Sequence, residues 1–255
     1  KGAVSALVLG LLMVGVQATS VRADEAQARA ILAAMTDYLG AQKSLSFDVD
    51  STIEVVTTDG SKVAIASSGS VALERPDKIR FWRHGGFATV EMIFNGQALS
   101  VANHDANVYG EASVSGTVDD LIDTLREQYL IPLPAADLLS SDAGEVLLAD
   151  VTDVRDLGSG VIRGEECDHL AFRSAEVDWQ IWVAQGDVAH PCRFVITSRA
   201  IEGWPQYMLE FSAWGSGGIE PAFAFEAPAG MEKVDVKDVP NLSEVGGIFM
   251  TEKGN

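Results

Sequence analysis

An alternation of apolar and polar residues with a period of two constrains this chain more than any other feature. In FDVDSTIEVV, residues 47–56, the apolar side chains Phe47, Val49, Ile53 and Val55 alternate with polar ones at the even positions. Successive side chains of a strand point to opposite faces, so this spacing predicts a strand with one buried face. Strand-like segments recur at 63–73, 78–82, 89–95, 98–101, 160–165, 167–173, 179–185, 193–201, 206–214 and 222–226.

Two segments replace this alternation with helical spacing. From Asp24 to Gln42 the apolar residues recur every three or four positions, at Ala28, Ile31, Leu32, Met35, Tyr38 and Leu39. Another helix begins after Thr117, an N-cap residue followed three positions later by Asp120, and a short helix follows Pro134. We therefore expect a helical insert at 117–142 between two runs of strands.

This order of elements predicts an α+β protein that is mostly antiparallel β. Strands with one apolar face need a cover, and the helices are the elements that provide it. A sheet of about 10–11 strands must curl, so we expect an incompletely closed β-barrel with helices over its concave face. We expect one domain at 24–236, rather than two small ones, because no Pro- or Gly-rich linker divides it. Residues 237–255 are predicted to form a flexible tail.

The first 23 residues have the pattern of a signal peptide. Lys1 precedes an apolar run from Ala3 to Val16, and the small-residue pattern Val21-Arg22-Ala23 predicts cleavage after Ala23. The apolar run is shorter than the roughly 20 residues of an ordinary membrane span, although a retained anchor is the alternative. The expected mature protein is exported and has no membrane span.

The formal net charge of −19 limits the partners of the chain. So acidic a protein repels phosphate backbones and anionic membrane surfaces, and no cluster of Lys and Arg interrupts the negative balance. We therefore expect no nucleic-acid partner.

The segment EECDHLAF, residues 165–172, places a thiol, a carboxylate and an imidazole side by side. In a strand, Cys167 and His169 share one face and Asp168 lies on the other, so the three cannot form a catalytic relay among themselves. Two cysteines in an exported protein favour a disulfide between Cys167 and Cys192. A catalytic Cys167, or a metal site that uses Cys167 and His169, remains an alternative. We predict no catalytic residue, metal or cofactor, because His84, His104 and His190 lie in predicted turns outside any motif.

Six segments of the chain carry a resemblance to known proteins, namely Glu74–Phe81, Phe94–Gln97, Cys167–Phe172, Asp178–Trp182, Val195–Thr197 and Phe223–Gly230. Together they resemble the DUF2092 family of predicted periplasmic proteins, and more distantly the LolA/LolB/LppX lipoprotein-carrier-like fold. The resemblance implies a periplasmic location and an open barrel that holds acyl chains on an apolar concave face. The DUF2092 group itself implies no particular activity.

Two functional hypotheses follow. The first is a non-enzymatic periplasmic protein that carries or senses a lipid, an acyl chain or another lipophilic ligand on the concave face. The predicted ligand-binding residues are Val49, Ile53, Val63, Ile65, Phe81, Ile93, Leu121 and Leu125. No cationic clamp for a head group is expected, because Arg75, Lys78 and Arg80 fit a solvated strand end. The alternative is an interaction protein that docks a partner protein in the envelope. A dry cavity of several hundred Å³ favours the carrier, and a fully packed core favours the docking protein.

Overall fold

A computed structural model describes residues 18–131, 133, 135–215 and 223–243 of the chain. Its α-helices are α1 (Ala18–Ala41), α2 (Val118–Glu127) and α3 (Ala143–Leu148), and a 3₁₀ turn (Ala136–Leu139) lies between the last two. The strands are β1 (Ser44–Val56), β2 (Lys62–Glu74), β3 (Lys78–Gly85), β4 (Thr89–Phe94), β5 (Ala98–Asn103), β6 (Val108–Ser113), β7 (Asp153–Ile162), β8 (Glu165–Arg173), β9 (Val177–Ala184), β10 (Pro191–Ser198), β11 (Gln206–Gly215) and β12 (Glu232–Val234).

The described strands form one open sheet in the order β12-β6-β5-β4-β3-β2-β1-β11-β10-β9-β8-β7. Neighbouring strands are antiparallel except β12, which pairs in parallel with β6. The two halves of the chain meet where β1 pairs with β11. The open, curled and mostly antiparallel sheet predicted from the sequence is confirmed, with 12 strands rather than 10–11.

The strand count differs because one predicted strand is not formed in its described part and two observed strands, β6 and β12, were not predicted. The predicted strand at 222–226 was wrong in its described part, because residues 223–226 pair with no strand and Phe225 instead packs its ring on Tyr109, with centroids 5.3 Å apart. The strand β6 was missed because Gly110 interrupts its side-chain pattern. A Cβ atom at Gly110 would lie 2.6 Å from the Cα of Val236, so glycine permits the chain segment after β12 to approach β6.

The helices bury their apolar stripes against the inner face of the sheet. On α1, Leu32 and Met35 are fully buried. On α2 the buried residues are Val118, Leu121, Ile122 and Leu125. The predicted N-cap of α2 is confirmed, because Thr117 and Asp120 form a reciprocal capping box.

The helical insert is longer than predicted and continues to Leu148, since Asp142 begins α3 and the next strand starts at Asp153. The described part of the predicted tail, residues 237–243, also differs from a loose tail, and residues 244–255 lie outside the described residues. Val236 and Val239 are buried in the core, and residues 240–243 are held against the inner face. The apolar contacts of the two valines outweigh the Gly- and charge-rich composition that suggested a tail.

Most of the predicted signal peptide lies outside the described residues, and α1 extends back to Ala18, across the predicted cleavage point. Cleavage after Ala23 therefore stays a prediction. Within the described part of the chain, none of the helices has the length and apolar character needed to span a bilayer.

Candidate functional site

A cavity of about 300 Å³ lies between the inner face of the sheet and the helical insert. Its floor comes from β1 to β5 and β11, and its cover comes from α2 and the segment that follows it. The floor residues are neighbours across the sheet, because Phe81 pairs with Val71 on one side and with Met92 on the other. The cavity is lined mainly by apolar side chains, so it suits a lipophilic molecule better than a polar one.

Five of the eight predicted ligand-binding residues line this cavity, namely Val49, Ile53, Phe81, Leu121 and Leu125. Three do not. Val63 and Ile65 face the same side as Ile53 and Val55 but lie nearer the β1–β2 turn, where Val63 is 39% exposed. Their role in binding stays a prediction.

Ile93 was assigned to the concave face, and the register corrects this assignment. The cavity-lining residues of β4 are Val90 and Met92, so Ile93 points to the opposite face, between Arg80 and Ser100 on the neighbouring strands. Thr89 and Glu91 share the face of Ile93, so the alternation in β4 already indicated that Val90 and Met92 meet the apolar cavity.

The cavity has a polar end that sequence analysis missed. There the Ser51 and Ser67 hydroxyls lie 2.7 Å apart across β1 and β2, and Arg83 follows Phe81 at the next inner-face position of β3. Arg83 is 6% exposed. The signal in the sequence was a charged residue in the apolar half of the alternation Ile79, Phe81, Arg83.

Gly69 lies directly opposite Arg83 on β2. A Cβ atom there would come within 2.5 Å of the carbonyl oxygen of Trp82, so the close approach of β2 and β3 requires glycine at this position. Because Gly69 has no side chain, the space beside it on the inner face is available to the side chain of Arg83.

The three cations that the sequence groups near a strand end do not line the cavity. Lys78 pairs with Glu74 at 2.6 Å, and Arg80 pairs with Glu91 at 2.6 Å. Burial lowers the pKa of the Arg75 guanidinium, and Asp119 partly opposes this effect. Lys78 and Arg80 are thus paired with carboxylates, whereas Nε and Nη2 of Arg75 are buried without a hydrogen-bond partner among the described residues.

The segment EECDHLAF lies on β8, and the contacts of its side chains hold neighbouring strands together. A disulfide joins Cys167 to Cys192, with their Cα atoms 6.9 Å apart. Strand β9 separates the two cysteine strands, and the bridge passes over its last residue, Ala184, which pairs with Cys167. A bulge between Pro191 and Arg193 accommodates Cys192 at this point.

The polar neighbours of the disulfide are engaged in local contacts. His169 stacks on Trp182 at 3.9 Å between ring centroids and approaches Gln180 Oε1 at 2.8 Å through Nε2. Gln185 donates to Asp168 at 2.6 Å, so no relay joins Asp168 to the imidazole. Glu165, His190 and Cys192 bring potential metal ligands within 4.8 Å of one another, but the Cys192 sulfur is bonded to Cys167.

Comparisons with solved structures find similar folds at low sequence identity. A conserved protein of unknown function from Thermus thermophilus is 12% identical, with a TM-score of 0.47 over 82% of this chain and 99% of that one. The lipoprotein LppX of Mycobacterium tuberculosis is 16% identical, with a TM-score of 0.40 over 77% and 98%. The MucA/MucB complex of Pseudomonas aeruginosa contains a chain that is 16% identical, with a TM-score of 0.46 over 79% and 62%.

No curated protein sequence matches the chain. The family model for predicted periplasmic proteins, DUF2092, matches residues 28–237, which include the C-terminal part of α1, both runs of strands and the helical insert. The chain therefore belongs to the DUF2092 family, and it is a periplasmic protein.

Proposed function

We propose that the protein binds a single lipophilic chain, such as an acyl chain, in the cavity under α2 and acts as a non-enzymatic carrier or sensor in the periplasm. The observation that carries this proposal is the cavity of about 300 Å³ with an apolar lining. The cavity is partly open to solvent, so a ligand can reach it and cover apolar side chains that otherwise contact water.

The lining gives the expected source of affinity. Leu121 and Leu125 on α2 face Phe81 and Val49 on the sheet across the cavity. Each methylene that moves from water into this space contributes about 0.8 kcal/mol. A long chain therefore binds usefully through burial alone, whereas the docking alternative predicts a core with no such space.

The test is native mass spectrometry of protein purified gently from its own envelope, followed by titration with a fluorescent fatty acid. We expect a lipophilic adduct and saturable binding. A flat titration with a folded protein and no adduct would contradict the carrier function and favour the docking protein.

A matched pair of variants localises the binding. Ile53→Trp places a large ring in the lining of the cavity, and Ile201→Trp makes the same change on a loop residue that is 53% exposed. We expect weaker binding, by about tenfold or more, only for Ile53→Trp. Equal affinity in both variants would place the ligand outside the cavity.

A further inference from the structure

The disulfide lies in a cluster of side chains that carry the donor atoms of a zinc site. One oxygen of Glu165, one ring nitrogen of His190 and the sulfur of Cys192 lie within 4.8 Å of one another. Cys167 adds a second sulfur, because it is bonded to Cys192. Thiolate sulfur, imidazole nitrogen and carboxylate oxygen are the donors that Zn²⁺ takes in proteins, so the cluster contains four candidate ligands.

The fold brings these residues together from two distant parts of the chain. Glu165 and Cys167 occupy alternate positions of β8, so their side chains share one face. His190 precedes β10, and Cys192 lies at the bulge where that strand begins. The two cysteines belong to a small apolar core that is separate from the main one, and none of the four residues lines the cavity. The cluster is therefore distinct from the proposed lipophilic site.

The spacing of His190 and Glu165 suits tetrahedral coordination. Nε2 of His190 lies 3.2 Å from Oε2 of Glu165. Two such ligands, each about 2.0–2.1 Å from one tetrahedral zinc ion, are about 3.3 Å apart, so this pair needs almost no movement. Two thiolates at about 2.3 Å from the ion are about 3.8 Å apart, so bonded sulfurs cannot both bind it. The intact bridge therefore blocks a site that uses all four side chains.

The imidazole of His190 is not fully engaged by the protein. Its side chain is 13% exposed, and its ring lies 5.4 Å from that of Trp214. Nε2 contacts Glu165, but Nδ1 is buried and has no hydrogen-bond partner among the described residues. Buried polar atoms normally have partners, so a buried ring with an unused nitrogen indicates a role beyond the contact with Glu165.

We propose that reduction of the Cys167–Cys192 bridge converts this cluster into a Zn²⁺ site, with two thiolates, the imidazole of His190 and the carboxylate of Glu165 as ligands. A dithiol reductant supplies two electrons and two protons. The S–S bond breaks, two thiols form, and the reductant becomes a disulfide. Zn²⁺ then displaces both thiol protons and binds the sulfurs. Metal binding thus depends on the redox state of the bridge, and it goes beyond the proposed function without depending on it.

The test measures Zn²⁺ binding to the untagged full chain before and after reduction. The chelator 4-(2-pyridylazo)resorcinol competes for the ion, and the reductant is a phosphine that is removed without exposure to oxygen. We expect the reduced protein to bind one Zn²⁺ per chain and the oxidised protein to bind none at the same concentration. With Co²⁺ in place of Zn²⁺, thiolate-to-metal charge-transfer absorption should appear only after reduction.

Two matched pairs of variants locate the ligands. His190→Gln should weaken Zn²⁺ binding to the reduced protein by at least about tenfold. His169→Gln should leave it unchanged, because the imidazole of His169 faces Gln180 at 2.8 Å. Glu165→Gln should likewise weaken binding, whereas Glu166→Gln, on the opposite face of the strand, should not.

Thermal unfolding of the wild-type protein provides a second measurement that does not depend on the folding of a variant. Zn²⁺ that binds the folded state should raise the melting temperature of the reduced protein and leave that of the oxidised protein unchanged. The proposal is overturned if reduction creates no Zn²⁺ binding, or if His190→Gln binds the ion as tightly as His169→Gln.

Discussion

Replacement of Leu121 by alanine tests whether α2 is a fixed wall of the cavity. Leu121 is 1% exposed and belongs to both the core and the cavity lining. Loss of three carbon atoms removes about 2.4 kcal/mol of transfer free energy, at about 0.8 kcal/mol for each methylene. The capping box at Thr117 holds the start of α2, so we expect the helix to collapse little into the vacated space. A cavity cost is added, and the expected loss is about 3 kcal/mol.

The assay is urea denaturation followed by circular dichroism, with Leu130→Ala as the control. Leu130 is 79% exposed, so the same chemical change there should alter the free energy of unfolding by less than about 0.5 kcal/mol. A loss below about 1 kcal/mol for Leu121→Ala, with an unchanged dependence on urea, would refute the fixed wall. The helix would then be a mobile cover rather than part of the core.

The remaining predictions concern covalent and electrostatic contacts. The double replacement Cys167→Ser and Cys192→Ser should lower the free energy of unfolding by about 3 kcal/mol, because the bridge closes a loop with a separation of 25 residues. Non-reducing mass spectrometry of exported protein should find no free thiol, and two free thiols would contradict the bridge. Hydrogen bonding to Arg173, aided by Arg199, lowers the pKa of Asp178 below its ordinary value of 3.8. Its stabilising contribution is therefore present above that value and is lost as the pH falls through the lowered pKa. Urea titrations at about pH 5 and about pH 2.5 should show a smaller decrease for Asp178→Asn than for the wild type, and equal decreases would contradict this role.

The sequence by itself determined the kinds of elements and their order. Local periodicity depends on the backbone geometry of one segment, so the strands around Phe47 and the stripe that contains Leu121 were predicted without knowledge of their neighbours. The capping box at Thr117 is likewise local, because its donors and acceptors lie within four residues. The pairing of Cys167 with Cys192 was expected from their number and compartment, which involve no geometry.

Tertiary structure decided which face of each strand meets the cavity. Alternation shows which residues share a face within one strand, but the register with neighbouring strands sets the direction of that face. Ile93 is an exception, because the alternation of Thr89, Glu91 and Ile93 with Val90 and Met92 already indicated its face. The bulge at Cys192 and the short parallel strand β12 also depend on distant partners.

The polar end of the cavity depends most on long-range contacts. Arg83 reaches the carbonyl oxygens of residues 241–243 across a sequence separation of 158–160 residues, and Asn103 reaches that of Pro240 across 137. Local composition predicts a loose tail at residues 240–243, because Gly and charged residues follow them in the sequence. The buried guanidinium and the buried amide need acceptors, and the backbone carbonyls of residues 240–243 supply them. Only the folded sheet brings these donors and acceptors together, so no local pattern in the sequence indicates that residues 240–243 lie against it.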